Sequence, residues 1–204
     1  CTFCMPADAP FSRDIIVNAG ETYMLMINNT SGSSAGFTLD FGATSVIATG
    51  APASLSWTGG ANNTWNDINN WGGCGAPTCG TNASIAAGPL NQPVITANEQ
   101  VKDIYISGTL TIAAGVTLQV CGNYTNAGTL IADPTSIIEF IGGANQTING
   151  NVVGASRFGN FVVNKSGGSV SLNTNVEVAS NFTTMNNTSV LNCNGRKLSV
   201  ARNF

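Results

Sequence analysis

The chain has 204 residues and a formal net charge of −3, with 43% hydrophobic and only 8% charged residues. Its few basic residues are scattered, which excludes a nucleic-acid-binding face, and no apolar run approaches the roughly 20 residues of a membrane span. Asn, Thr, Ser and Gly fill the polar positions instead, as is typical of all-β extracellular proteins. Because no apolar spacing of three and four residues is sustained, we expect little or no helix.

Residues 1–50 are predicted to form strands joined by hairpin turns, at 11–17, 22–28 and 37–41. Three strands in 50 residues cannot close a sandwich alone. We therefore assign residues 1–50 to the terminal part of a β-sandwich (Ig/CUB-like) module whose other strands lie upstream. Residue 1 is already Cys1 and no signal peptide is visible, so we expect a mature or internal piece of a longer chain.

Residues 51–100 are predicted to be a linker and a Trp-rich cap. The small-residue, Pro-containing stretch 48–56 marks the domain boundary. All three tryptophans follow it, at Trp57, Trp65 and Trp71. Because they precede the regular strands, we expect them to close the open end of the following domain. The alternative is that their ring faces stack on sugars.

Residues 101–204 are predicted to form a parallel β-helix-like solenoid. From Ile104 to Val120, nearly every even position is apolar or small and the odd positions are mostly polar or small. A period of two is the strand period, so several short strands turn one face into a continuous core. Stacked strands need capping at their ends, and we expect the chain to continue beyond Phe204.

An internal repeat of about 58 residues runs through this region. The segment 118–120 recurs as 176–178, and 104–106 recurs as 161–163. Repeats of short strands indicate stacked units, with two to three rungs in each repeat. Asn123 and Asn181 occupy the same place in the repeat, and we interpret them as ladder positions whose side chains hydrogen-bond along the stack.

The six cysteines, with no histidine, favour an oxidising compartment. Cys74 and Cys79 share a Gly/Pro-rich loop, so a local Cys74–Cys79 disulfide is the best single pairing. Cys1 and Cys4 are a second local pair or are linked elsewhere. A zinc site formed by these four cysteines is a competing interpretation. The remaining two are interpreted as free buried thiols: Cys121 and Cys193.

Catalysis is not expected, because the lack of histidine excludes Ser and Cys triads that depend on it. Acidic residues at Asp103, Asp133 and Glu139 leave a polysaccharide-degrading β-helix enzyme as a remote alternative. Glycosidases need two carboxyl groups roughly 5–9 Å apart, and no local pair suggests that spacing. A lyase would want basic residues nearby, and Lys102 is the only candidate.

No cofactor is predicted, although calcium remains an alternative at Asn66, Asp67 and Asn69. These side chains offer oxygen ligands at close spacing. Ca²⁺ usually takes 6–8 oxygens, commonly from several carboxylates, and this segment has a single Asp.

Most of the chain resembles segments of very large surface adhesin-like proteins of Bacteroidetes, some of which act in gliding motility. The motifs that carry the resemblance are the WTGG start at Trp57, Asn70-Trp71, Asn123-Tyr124, Phe140 with Gly142-Gly143, Gln146-Thr147-Ile148 with Gly150, and the sandwich-like strands between Gly20 and Gly42. The resemblance implies export by the type IX secretion system and display on the bacterial cell surface.

The predicted function is therefore structural: a stalk or spacer in a secreted, cell-surface filament or adhesin. Its expected partners are neighbouring modules of the same long chain, surface glycans or other filament subunits, and the type IX machinery during export. No nucleic acid and no membrane insertion are expected. The alternative is a carbohydrate-binding module that uses Trp57, Trp65 and Trp71.

Overall fold

The computed structural model of the chain describes residues 54–72 and 75–203. The chain divides into two compact units, Cys1–Gly50 and Ala51–Phe204, and all described residues belong to the second. They wind into a parallel β-solenoid of about six turns, which confirms the predicted all-β solenoid fold. The sandwich strands predicted within residues 1–50 lie outside the described residues.

Each full coil of the solenoid contributes strands to three faces. The first face consists of β1 (Ser54–Trp57), β3 (Asn82–Ile85), β6 (Ile104–Ile106), β9 (Tyr124–Asn126), β12 (Gln146–Gly150), β14 (Ser169–Leu172) and β17 (Val190–Asn192). The second face contains β4 (Val94–Ile95), β7 (Thr109–Ile112) and β10 (Thr129–Ala132), and then β15 (Val176–Val178) and β18 (Leu198–Val200). The third face contains β5 (Glu99–Val101), β8 (Thr117–Val120), β11 (Ile137–Gly142), β13 (Asn160–Lys165) and β16 (Phe182–Thr184).

The second face is interrupted in one coil. There Val152 and Phe158 bridge to β15 on either side of a short 3-10 turn, Gly154–Ser156. The hydroxyl of Ser156 accepts a hydrogen bond from the N–H of Leu130, at 3.2 Å. The Ser156 side chain thus satisfies the N–H of Leu130 in β10 at a position where the next coil has no strand to accept it.

In the series Ala83, Ile104, Tyr124, Ile148 and Leu172, aligned residues on successive coils are 20 to 24 positions apart. The spacing is 28 between Ser54 and Asn82 and 17 between Val94 and Thr111. All these pairings are parallel and in register, so side chains of like orientation stack in columns along the solenoid. The inward columns form one core. Ile104, Leu110, Leu118 and Val176, on all three faces, are at most 2% exposed. The predicted continuous core is therefore confirmed.

The 58-residue repeat does not relate equivalent faces. Leu118 lies in β8 on the third face and Val176 in β15 on the second, whereas Ile104 is on the first face and Phe161 on the third. Both offsets span eight successive strand positions, which is two and two-thirds coils. The sequence similarity arises because every face uses the same alternation of buried and outward residues.

The solenoid begins earlier than predicted. β1 pairs in parallel with β3, and β3 with β6, so the described residues 54–72 and 75–100 form the first coils rather than a linker before residue 101. Within the described ranges, no helix has the length and apolarity needed to cross a membrane.

Candidate functional site

The three tryptophans form a buried cluster in the first coil. Trp57, Trp65 and Trp71 are 3%, 1% and 3% exposed. Their rings pack edge-to-face, with centroids of Trp57 and Trp71 5.0 Å apart and those of Trp65 and Trp71 4.8 Å apart. Short β2 (Trp71–Gly72) pairs antiparallel with β1 and so ends the first-face sheet. This is the arrangement expected of a cap, and it leaves no exposed indole face for a sugar ring.

Asn70 organises the loop around this cluster, a role that sequence analysis did not assign to it. The side chain is fully buried. Its Oδ1 accepts hydrogen bonds from the N–H groups of Ala61 and Asn62, both at 2.9 Å. Its Nδ2 donates to Asn62 Oδ1 at 2.8 Å and to the carbonyl of Thr64 at 2.9 Å. The Asn70 side-chain amide therefore holds residues 61–64 of the loop between β1 and β2 in place.

The calcium candidates are arranged as a capped turn. Asp67 is the N-cap of the 3-10 turn Ile68–Asn70. Its Oδ1 accepts from the backbone N–H and the Nδ2 of Asn69, both at 3.0 Å, and its Oδ2 accepts from Asn62 Nδ2 at 2.7 Å. The pKa of Asp67 is lowered, chiefly by the hydrogen bond from the backbone N–H of Asn69. The carboxylate thus faces N–H donors, whereas a cation site needs converging oxygens, and Asn66 is exposed. No group of three or more potential metal ligands of the His, Cys, Asp or Glu type occurs in the part of the chain that the structure describes.

The cysteine pairing differs from the prediction. Cys79 is bonded to Cys121, with their Cα atoms 5.3 Å apart and 42 positions between them in sequence. The predicted Cys74–Cys79 disulfide is therefore wrong, and so are the zinc site that includes Cys79 and the free thiol at Cys121; Cys1, Cys4 and Cys74 lie outside the described residues. Cys193 is a free thiol, as predicted, but it is exposed rather than buried.

The physical reason for this pairing is the stacking of the coils. Cys79 precedes β3 and Cys121 precedes β9, and these strands are separated by β6 alone on the first face. Stacking thus brings two distant corners together, which outweighs the short sequence distance between Cys74 and Cys79.

The three candidate carboxylates lie in separate places. Asp103 lies in the bend immediately before β6, Glu139 is outward on the third face, and Asp133 is in the turn after β10. Asp133 Oδ1 accepts from the hydroxyl of Thr135 at 2.6 Å and from its N–H at 2.8 Å, and these bonds, the hydroxyl first, lower the pKa of Asp133. The catalytic pair that the enzyme alternative needs is not brought together among these residues.

Polar ladders run along the outside of the coils. On the first face, the N–H of Asn123 donates to Asp103 Oδ1 at 2.6 Å, and the N–H of Thr147 donates to Asn123 Oδ1 at 2.9 Å. At the edge of the third face, Asn181 Nδ2 donates to Asn160 Oδ1 at 3.1 Å. Asn123 and Asn181 are thus ladder positions, as predicted, but in two different columns.

A third ladder, on the third face, converges on the carboxylate of Glu139. Gln119 Nε2 donates to Glu139 Oε2 and Asn164 Nδ2 donates to Oε1, both at 2.8 Å. The ladder extends by one coil in each direction: Gln100 Nε2 donates to Gln119 Oε1 at 2.7 Å, and Asn186 Nδ2 donates to Asn164 Oδ1 at 3.1 Å. The Glu139 carboxylate therefore accepts hydrogen bonds from the amide side chains of the coils on both sides of it.

The first face also carries a shallow depression of about 250 Å³. It is lined by Ser54, Asn82, Ala83, Ser84, Asp103, Ile104, Tyr105, Asn123 and Thr125. Two rows border it. Hydrogen bonds from the N–H of Asp103 to Asn82 Oδ1 and from the N–H of Asn123 to Asp103 Oδ1 link the first row, and the second consists of the aligned residues Ser84, Tyr105 and Thr125. The Tyr105 side chain is 46% exposed. Sequence analysis singled out Asp103 and Asn123 but missed Tyr105, whose outward parity within 104–120 was the available signal.

Comparison of the chain with protein-family models, with curated proteins and with solved structures finds no match.

Proposed function

We propose that this chain is a structural segment of a secreted, cell-surface filament or adhesin, in which the solenoid acts as a spacer. The observation that carries the proposal is the continuity of the stack. One hydrophobic core, columns of aligned residues and outward amide ladders run from coil to coil. About six turns at the roughly 4.8 Å spacing of paired strands give a stack about 30 Å long.

Chemical features of the described coils support a passive role outside the cell. The Cys79–Cys121 bond favours an oxidising compartment. The candidate carboxylates are hydrogen-bonded and separated, and the tryptophans are buried. Backbone groups paired within the sheets resist local opening and therefore proteolysis. Together these properties suit a stiff element that holds other modules at a distance.

The cellular setting of the proposal rests on the resemblance to Bacteroidetes surface proteins. It comprises type IX secretion, adhesion or gliding motility, and contacts with neighbouring modules, filament subunits or surface glycans. The first experiment is antibody labelling of this chain on intact cells of the source organism, with permeabilised cells as the control. Labelling of intact cells is expected, and labelling after permeabilisation alone would contradict the proposal.

A second experiment tests the spacer role itself. Residues 54–203 are replaced in the native protein by an unrelated β-solenoid of equal length, or by a flexible Gly/Ser linker of equal residue number. A spacer should be replaced by the unrelated solenoid, with adhesion or motility retained, whereas the flexible linker should reduce both. Loss of function with both replacements would show that these residues do more than hold a distance.

A further inference from the structure

We propose that the depression around Tyr105 on the first face binds a neutral oligosaccharide. This goes beyond a spacer role, which needs no ligand. It also differs from sugar binding by the tryptophans, because those rings are buried whereas the Tyr105 ring is about half exposed.

Tyr105 supplies the apolar surface. Aromatic rings are usually buried in a solenoid core, as Tyr124 is in the neighbouring coil. Tyr105 instead stands outward between the shorter side chains of Ser84 and Thr125, its neighbours in the column. Its ring therefore projects beyond the smaller polar side chains next to it, and the C–H surface of a sugar ring can pack against the aromatic face.

Asp103 and Asn123 supply an oriented acceptor and donor beside this ring. Asp103 Oδ1 is held by the N–H of Asn123 at 2.6 Å, and Asn123 Oδ1 is held by the N–H and the hydroxyl of Thr147, both at 2.9 Å. The other polar atoms of these side chains, Asp103 Oδ2 and Asn123 Nδ2, have no hydrogen-bond partner in the described part of the chain. The ladder thus holds both side chains through their Oδ1 atoms and leaves one acceptor and one donor available to a ligand.

These two atoms suit adjacent hydroxyl groups of one sugar. Aligned residues on neighbouring parallel strands are roughly 4.8 Å apart, so Asp103 and Asn123 can contact hydroxyls on neighbouring carbons. The lining contains no Lys or Arg, and its one charged residue is Asp103. An anionic ligand would meet the negative charge of Asp103 with no basic residue in the lining to offset it, which favours a neutral sugar. The rows run along the stack, which favours an oligosaccharide over a single sugar.

The experiment uses the full 204-residue chain on an array of neutral hexose oligosaccharides together with sialylated and uronic-acid-containing glycans. The best neutral binder is then titrated by calorimetry or NMR. Binding to neutral glycans is expected. Tyr105→Ala should weaken it about tenfold, because the stacking surface is removed, and Tyr105→Phe should retain it.

Asp103→Asn tests the acceptor while preserving the fold. An Asn side chain at this position keeps the Oδ1 that accepts from Asn123 but replaces the free oxygen by an NH₂ group. We expect affinity to fall by at least about tenfold. The matched control is Ile131→Ala, because Ile131 is a similarly exposed side chain, at 52%, on the second face, and this variant should bind as the wild type does.

Three results would overturn the proposal: no binding to any neutral glycan, binding to acidic glycans alone, or unchanged affinity in a folded Tyr105→Ala variant. Thermal unfolding of each variant, followed by circular dichroism, establishes that it is folded. None of these results would affect the spacer role, which rests on the core and the ladders.

Discussion

Lys165 and Gln146 meet inside the corner between the third and first faces, where the ammonium group of Lys165 donates a hydrogen bond to Gln146 Oε1. The side chains are 0% and 1% exposed. Lys165 Nζ also donates to the carbonyl of Ala144 at 2.7 Å, and Gln146 Nε2 donates to the carbonyls of Val120 and Gly122 at 2.9 and 2.7 Å. Lys165 and Gln146 thus donate hydrogen bonds to backbone carbonyls at the same corner of two successive coils.

Gln146→Leu should strongly destabilise the solenoid. It removes the donors to two carbonyls and the acceptor of Lys165 Nζ, and each unpaired buried group costs about 1–3 kcal/mol. We expect a loss of about 3 kcal/mol or more in urea unfolding. The control Gln119→Leu removes an amide from the outward ladder, where water can replace it, and should cost less than about 1 kcal/mol. Equal losses in the two variants would contradict the corner role.

Lys165 should make stability depend on pH above neutrality. Burial lowers the pKa of Lys165 below its ordinary value of 10.5. Between the folded-state pKa and 10.5, the unfolded chain binds more protons than the native chain, so the native state gains stability as pH rises through that window. Urea unfolding from pH 7 to 10 should therefore show a gain for the wild type that Lys165→Met lacks. Identical pH profiles of the two proteins would refute this.

Breaking the Cys79–Cys121 bond should loosen the first coils. For a loop closed over 42 positions, the chain-entropy relation gives about 4 kcal/mol of stabilisation. Cys121→Ala and mild reduction should each lower the unfolding midpoint in urea, whereas Cys193→Ala, at an exposed free thiol, should not. Peptide mapping by mass spectrometry without reduction checks the pairing directly, and a Cys74–Cys79 peptide would contradict it.

Gly128→Ala should be poorly tolerated. An added Cβ would lie 2.1 Å from the carbonyl oxygen of Gly108 in the adjacent coil, so the two corners would have to separate. We expect a loss of about 3 kcal/mol, as for overpacked interiors. Gly88→Ala is the matched control, because a Cβ there meets no atom within 4 Å, and its unfolding free energy should stay within about 0.5 kcal/mol of the wild type.

Asn70→Ala should open the cap before the rest of the solenoid. Four side-chain hydrogen bonds are lost from a fully buried position, which we expect to cost about 3 kcal/mol. All three tryptophans of the chain lie in this cap, so their fluorescence should change at lower denaturant than the circular dichroism of the strands. Asn69→Ala, at an exposed neighbour, should leave the two transitions coincident.

Much of the fold was accessible from the sequence because strand alternation is a local property. The even positions from Ile104 to Val120 predicted the core, and all of them are buried except Ala114, which lies at a turn. The position of the tryptophans before the long regular segment predicted a cap. The absence of histidine excluded triads that depend on it, whatever the fold.

The candidate site was less accessible because its members come from different coils. Asp103 and Tyr105 share one segment, but Asn123 and Ser84 reach them through strand pairing. Nothing local distinguishes Tyr105 from the buried Tyr124 except parity counted along its own strand. The sequence pattern ranked the tryptophans above Tyr105 because it carries no measure of exposure.

The sequence by itself determined the strand period, the identity of the core residues and the low charge of the surface, since each follows from residue types and near neighbours. Tertiary structure alone decided which face each strand joins, that Cys79 reaches Cys121, and that Lys165 meets Gln146. The physical reason is that all three faces share one alternation while coil length varies from 20 to 24 residues over the series from Ala83 to Leu172. Alignment between coils is therefore fixed by backbone pairing between distant strands.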